Sequence, residues 1–401
     1  MDCCKTRFAG LNANADYYDV VIVGGGVAGS AAAIALAQRS PDLRLLLLER
    51  KPDKARQRYR IGETLPPHAL ALFQQLGLLE SFQAQGNMEA HGTCAIWGNE
   101  TPHEYPFLFS HYGHGWHLDR AAFDDWLINQ AQERGVTVVS GSMLEGQPRY
   151  DNDWTMTIAG HSIKAKAMID ASGRSAALGR SQGGQLIDLD RLIGIYRFYQ
   201  LTGDVGLDSY TLVESCVLGW WYSTYLPNRQ LVVTLMTDSD IAREQGMLTE
   251  PGWLSALKMT QQSYLRLINA KPLTSIKAKP AHSQYLKPVC GTAWYAVGDA
   301  AATFDPLSSL GIFKALRHGV IASYAIDDFI QGKSGSEKKY QQLIETEYRH
   351  YLKTRHDYYQ AESRFDTAPF WQRRNNYPAH TITGNSGNNP DWLPFAKLYS
   401  T

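Results

Sequence analysis

The stretch Tyr18-Asp-Val-Val-Ile-Val-Gly-Gly-Gly-Val-Ala-Gly-Ser-Ala-Ala-Ala-Ile-Ala-Leu-Ala37 decides how the rest of the chain is read. Val20 to Val23 is an unbroken, largely β-branched apolar run, the composition of a parallel strand covered on both faces. Gly24, Gly26 and Gly29 complete G-x-G-x-x-G, and an Ala-rich helix begins at once through Val27 and Ala28. Gly24 turns the chain tightly, Gly26 lets a pyrophosphate approach the backbone, and Gly29 lets the helix lie close to the strand. The helix N-terminus adds free N–H groups and the positive end of a dipole. A second apolar run, Leu43 to Leu48, ends in Glu49. That acid lies about twenty residues past Gly29, where a carboxylate accepts hydrogen bonds from a ribose. A glycine triplet alone is weak, and the alternative is a β-turn-α unit with no ligand. Strand, turn, helix, second strand and terminal acid in succession point to a bound dinucleotide.

At 401 residues the chain has room for two or three domain-sized units or one large interleaved fold. Its 39 basic and 39 acidic residues cancel, so no nucleic-acid or anionic-membrane footprint shows. The 22 Tyr, 10 Trp and 13 Phe suit ordinary packing and also a pocket for planar ligands. Cys3, Cys4, Cys94, Cys216 and Cys290 are odd in number and scattered, with no metal-type spacing, so reduced thiols and no metal are expected. Residues 1–17 lack a signal-peptide apolar region and read as a disordered leader. No apolar stretch approaches the ~18 residues of a spanning helix, so a soluble, cytoplasmic protein without a membrane partner is expected.

Arg50 opens a basic, turn-rich segment that leads to Ile61-Gly-Glu-Thr-Leu-Pro-Pro67. The prolines cannot donate backbone hydrogen bonds and hold the chain extended, as in a strap laid across a ligand. His68 to Leu79 has helical apolar spacing. Residues 91–118 read as strands with one aromatic face, Trp97 and Tyr112 among it. Asp119 is placed to cap a helix over 121–127. Gly135 to Gly141 reads as a return strand, and Trp154–Ile158 pairs with Ile163–Ile169 as a β-meander that runs into the turn Asp170-Ala-Ser-Gly-Arg174. Strands at 193–201, 210–217, 220–226 and 231–237 make a second sheet on the substrate side. A helical region at 251–268, a strand and turn at Trp294–Ala301, and a long helix from Gly311 through Ile330 follow. The chain is helical again over 337–365 and is expected to be irregular from 367 to 401.

Three separated strand ends, at Gly24, Asp170 and Gly298-Asp299, would meet at one sheet edge. Together they resemble the FAD-dependent monooxygenase superfamily, with the fold of p-hydroxybenzoate hydroxylase. Gly62-Glu63-Thr64 before the prolines, and Asp305-Pro-Leu-Ser-Ser-Leu-Gly-Ile312, resemble the branch containing the flavin-dependent tryptophan halogenases. Two departures argue against halogenation itself. The segment before Trp97, Glu89-Ala-His-Gly-Thr-Cys-Ala-Ile-Trp97, has no lysine where that chemistry needs one, and the W-x-W-x-I-P motif is absent. In its place Gly219-Trp-Trp-Tyr-Ser-Thr-Tyr-Leu-Pro227 is similar to flavoproteins that mature tryptophylquinone amine oxidases.

The resemblance implies an α/β (α+β) fold in which a Rossmann-like FAD-binding domain (18–90, 118–180 and 285–330) interleaves with a β-sheet substrate domain (91–117 and 181–284). A C-terminal helical region and tail, 331–401, would follow. It places FAD against Gly24, Gly26, Val27, Ala28, Gly29, Glu49 and Arg50 at the ADP half. Leu144 would meet the adenine, Arg120 the phosphates or ribityl chain and Asp299 a ribityl hydroxyl, with Thr64, Pro306, Gly311 and Ile312 also against the cofactor. Trp97, Tyr112, Trp221 and Tyr222 would wall the substrate pocket. The implied reaction is hydroxylation of an indole through a flavin C4a-hydroperoxide formed from O2, with electrons from NAD(P)H or a separate reductase. The implied partner is a protein carrying the target Trp, modified during quinone cofactor biogenesis. Glu63, His91 and His114 are the candidate acid–base groups, with His111 and His117 also titrating in the useful range. The competing readings are a hydroxylase, halogenase or reductase of a free small molecule, and a non-catalytic escort protein. The intact glycines, Glu49 and Asp299 speak against the escort.

Overall fold

The structure is a computed structural model that describes residues 17–51, 59–202 and 209–376. The expectations for the leader before Tyr17, for the basic segment at 52–58 and for the tail beyond 376 lie outside the described residues.

The strand Tyr17–Val23 is the centre of the first sheet, and its residues Val20, Val21 and Ile22 are completely buried. Leu45–Glu49 pairs in parallel on one side (Val23 opposite Leu48) and His161–Asp170 on the other (Val23 opposite Asp170). Thr137–Ser140 extends the sheet beyond Glu49, and Trp294–Ala296 extends it beyond Asp170, both parallel. Asp153–Ile158 and Leu144–Asp151 add the expected meander, antiparallel. Because the parallel strands all run the same way, Val23, Glu49, Ser140, Asp170 and Ala296 end along one edge. Ligands of open α/β sheets bind at that carboxyl edge. The helices Val27–Arg39, Arg120–Glu133 and Gly311–Ile330 pack together against this layer. Asp119 caps the second of them, accepting from Ala121 N at 3.0 Å and Ala122 N at 3.2 Å.

The second large sheet runs in the order Ala270–Pro272, Leu192–Leu201, Gln230–Asp238, Gly219–Leu226, Tyr210–Cys216, Gly92–Ile96, His103–Pro106. Its four middle strands match the alternating runs read from the sequence to within a residue or two. Alternation sends Trp221 onto one face, against Trp253 at 5.0 Å, and Trp220 onto the other, where its Nε1 donates to Tyr359 Oη at 3.0 Å.

Several expectations are corrected. Residues 91–118 do not share one aromatic face. Gly92–Ile96 and His103–Pro106 join the second sheet, whereas Gly115–His117 lies between Thr64–Leu65 and Met88–Ala90 in a separate small sheet. The helix over 68–79 stops at Gln75, because Gly77 turns at φ +59°, and a separate short helix, Leu79–Gln83, follows. Helix in the 251–268 region is confined to Glu250–Leu257 and a single turn at Leu265–Leu267. The stretch from 367 is not wholly irregular: Pro369–Asn375 is a helix. Tertiary contacts hold it, since Trp371 Nε1 donates to Cys216 O at 2.9 Å and Arg374 pairs with Asp238 at 2.8 Å. No helix among the described residues is long and apolar enough to cross a membrane.

Candidate functional site

The glycine turn makes a cradle by leaving space. Gly24 holds φ +117°, and a Cβ there would lie 2.2 Å from Ala171 O. At Gly29 a Cβ would lie 1.9 Å from Gly24 O, so a side chain at either position collides with backbone. At Gly26 a Cβ would meet nothing within 4 Å, so the room lies on that side. The helix starting at Val27 has no capping side chain and no acid in its first turn, leaving its N–H groups and dipole for an anion. Val27 and Ala28 in that first turn are buried. Glu49 stands at the tip of the neighbouring strand, where Oε2 accepts from Gly25 N at 3.0 Å and Oε1 from Lys51 N at 2.9 Å. Arg50 follows on the exposed turn. Ser142 N donates to Glu49 O at 3.1 Å, and half-buried Leu144 follows two residues after Ser142.

A second open helix start faces the same edge. Gly311 has nothing within 4 Å of its Cβ position, and the helix Gly311–Ile330 carries no side-chain cap and no first-turn acid. Pro306 opens the turn before it, and Ile312 is buried beneath. Asp299 lies just past the strand Trp294–Ala296, paired with Lys314 Nζ at 2.8 Å. Although the side chain is 48% exposed, partial desolvation works against its ionisation; the Lys314 ammonium, with the Arg174 and Arg120 charges, outweighs it and holds the carboxyl below its usual range. Lys314 is buried, also donates to Ala302 O and lies 4.6 Å over the Phe304 ring. Behind the turn, His318 Nδ1 accepts from Gly298 N at 3.2 Å while its Nε2 bonds Glu347 at 2.8 Å, so a neutral imidazole with its proton on Nε2 holds the turn. Neither Lys314 nor His318 was anticipated. The available signal was two basic residues, one helical turn apart, on the face of the long helix that its apolar residues bury.

The strap crosses in front. Arg120 Nη1 donates to Gly62 O at 2.6 Å and Ile61 O at 3.4 Å, and Nη2 reaches Asp124 at 3.2 Å. Arg120 Nε is buried and has no hydrogen-bond partner among the described residues. Under the strap Glu63 is 2% exposed. Tyr222 Oη donates to its Oε2 at 3.4 Å, while Oε1 has no partner among the described residues. Burial pushes this carboxyl up to about 7, against the opposing pull of nearby backbone N–H groups and Arg120. Thr64 Oγ1 lies 3.1 Å from Thr211 Oγ1, and His117 Nε2 lies 3.1 Å from Thr211 Oγ1 and 2.9 Å from Thr224 Oγ1. Burial, helped by the Arg266 charge, lowers His117 to about 3, so it stays neutral and is no proton donor near neutrality.

The other anticipated residues lie elsewhere. His91 and His114 reach Glu89 at 3.1 and 3.4 Å on the surface, where the Glu89 side chain is 58% exposed. Both rings therefore belong to a solvated cluster and not to the buried Glu63 carboxyl. Trp97 donates to Tyr358 O at 2.8 Å and packs on Trp220, Tyr359 and Trp371. Trp221 is completely buried against Trp253, so these two indoles are core side chains and not walls of an open hollow. Tyr112 is 40% exposed beside His111. Only Tyr222 of the anticipated wall meets the acid.

A glycine turn open at Gly26, an acid at the adjoining strand tip and a second uncapped helix start make a site of the dinucleotide-binding class. The residues present fit FAD. A family model of FAD-binding domains matches residues 17–185, and the tryptophan halogenase model matches residues 109–385. The chain is 31% identical over 370 residues to LodB of Marinomonas mediterranea, described as an FAD-dependent oxidoreductase, covering 90% of this chain and 98% of that one. It is 24% identical over 382 residues to tryptophan 2-halogenase of Chondromyces crocatus, covering 88% of this chain and 69% of that protein. Among solved structures, the myxobacterial chondrochloren halogenase CndH matches with a TM-score of 0.79 at 22% identity, over 90% of this chain and 86% of that one. QhpG, described as a peptidyl tryptophan dihydroxylase essential for tryptophylquinone cofactor biogenesis, matches with a TM-score of 0.70 at 23% identity, over 90% and 79%. The chain belongs to the tryptophan halogenase family of FAD-dependent oxidoreductases.

Proposed function

We propose that the chain is an FAD-dependent monooxygenase that hydroxylates the indole of a Trp residue within a partner polypeptide, as a step in building a quinone cofactor. The observation that carries this reading is the buried Glu63–Tyr222 pair beneath the strap, with no lysine in the segment from Met88 to Trp97. A lysine there would serve hypohalous acid, whereas a carboxyl near 7 serves an aromatic hydroxylation. Support for a protein-borne substrate comes from QhpG and from relatives described as acting on pyrrole groups held by a peptidyl-carrier protein.

Bound FAD, reduced by NAD(P)H or by a separate reductase, supplies two electrons and the activation of O2. One oxygen atom enters the ring carbon and the other leaves as water. The chain itself positions the indole, excludes water and handles the proton. Gly26 and the helix after it would hold the pyrophosphate, Asp299 and Lys314 would hold the ribityl side, and Arg120 holds the strap through its carbonyl contacts. Indole carbons are already nucleophilic, so orientation outweighs base strength. The proton displaced from the ring carbon passes to the ionised Glu63 carboxylate, and Tyr222 Oη steadies that charge.

The test supplies the purified, FAD-loaded protein with a reductant, O2 and bromide. Free tryptophan and Trp-containing polypeptides are offered in turn, and products are read by mass spectrometry. Oxygen atoms added to a Trp of a polypeptide are the expected result. A brominated product, or turnover of free tryptophan alone, overturns the reading.

A further inference from the structure

The C-terminal helix Ser336–Gln360 grips the turn that opens the ring-side helix with three side chains. Asp305 N donates to Tyr351 Oη at 2.7 Å, Tyr359 Oη donates to Asp305 Oδ2 at 2.8 Å, and Arg355 Nε reaches the same oxygen at 3.2 Å. The other end of the Arg355 guanidinium reaches Asp190 Oδ2 at 2.5 Å. There it joins the wall of a cavity of about 280 Å³ lined by Asp190, Arg191, Asp238, Arg355, Arg373 and Arg374.

Four guanidinium groups line this space with Asp190 and Asp238, and Asp240 and Asp305 pair with three of them from its edge. Arg374 is 3% exposed, with its terminal nitrogens on Asp238 and Phe370 O, while its buried Nε has no partner among the described residues. Arg373 pairs with Asp238 and Asp240, and the Arg191 side chain, 67% exposed, reaches Asp240 at 3.6 Å on the open side. Burial pushes the Asp190 carboxyl up against the pull of Arg355. None of these residues belongs to the dinucleotide cradle or the strap. A buried donor without an acceptor is costly, and the guanidinium fork matches the oxygens of carboxylates and phosphates. The volume exceeds several times the ~30 Å³ share of one water.

We propose that this cavity is a binding site for a small oxyanion bearing a carboxylate or phosphate group, linked through Arg355 to the Asp305 turn of the flavin site. The linkage is physical: Arg355 is shared, so an anion that recruits its guanidinium changes the hold on Asp305. The proposal is independent of the substrate assigned above.

The FAD-loaded protein is titrated with inorganic phosphate and separately with acetate, at ionic strength held constant with sodium chloride. Thermal unfolding and the visible flavin band are followed together. A saturable rise in Tm is expected with at least one of the two anions, with a flavin shift at the same half-saturation. A response to acetate as well as phosphate makes a carboxylate sufficient, and a response to phosphate alone makes the tetrahedral group the ligand. Arg191→Gln and Arg373→Gln, at the open side, should each weaken half-saturation by about tenfold, the loss of one charge-assisted contact. A Tm rise that chloride alone reproduces, or that persists unchanged in both variants, overturns the site. A Tm rise without any flavin shift overturns the linkage.

Discussion

Glu63 carries the chemistry of the site because of what surrounds it and not because of what it is. A carboxyl in water ionises near 4.5, but this one is raised to about 7 by burial, and half of its oxygen capacity is unused among the described residues. The folded state therefore keeps a proton that the unfolded chain releases. Stability from this group is fully present below pH 4.5 and is lost as pH rises through about 7, a fall of about 3 kcal/mol. Glu63→Gln is neutral throughout and should remove that slope, so urea unfolding of both proteins at about pH 5 and about pH 8 reads it directly. Parallel behaviour of the two would exclude a buried acid at this position. In turnover, the same variant should lose about 10²-fold in kcat and with it the rise of rate through neutral pH. The sequence named Glu63 as one candidate among several histidines. Burial separated them: His117 is desolvated into permanent neutrality, and His91 and His114 face water.

The strand, glycine turn and helix form the element whose structure was most legible in advance. Its three glycines serve three different physical ends, which single substitutions separate. Gly26 has φ −74° and open space around its Cβ position, so Gly26→Ala should leave thermal unfolding unchanged. Its methyl stands where the pyrophosphate approaches, and FAD affinity, followed by flavin fluorescence, should weaken by about tenfold or more. Gly29→Ala instead drives a methyl toward Gly24 O and should cost about 1–3 kcal/mol or more of stability before any ligand is added. Equal Tm losses in the two variants would mean that the turn is structural only. The strap resisted such reading. Its short pairing with Gly115–His117 and its clamp by Arg120 depend on partners more than fifty residues away, which no local pattern encodes.

Across the whole molecule, the last described helix, Pro369–Asn375, packs onto the second large sheet. Trp371 is completely buried, donates to Cys216 O, and packs on Trp97 at 5.4 Å and Tyr359 at 5.9 Å. Trp371→Ala should cost about 3–5 kcal/mol. The loss should appear in equilibrium unfolding and bring with it exposure of the Trp97 fluorescence; a cost under about 1 kcal/mol would show the helix to be a detachable appendage. The amino-acid sequence by itself determined the parallel sheet, the dinucleotide turn and the four alternating strands of the second sheet. Those features rest on local periodicity, glycine stereochemistry and β-branched composition, which neighbours along the chain settle among themselves. Only the tertiary structure decided that Glu63 is a buried carboxyl raised to about 7 and facing Tyr222, that Trp97 and Trp221 are core residues, that Lys314 holds Asp299, and that arginines from the C-terminal helices gather around Asp190 and Asp238. Burial and charge pairing are properties of residues that meet from distant parts of the chain, and desolvation sets their ionisation and packing only once the two sheets and the C-terminal helices have closed over them.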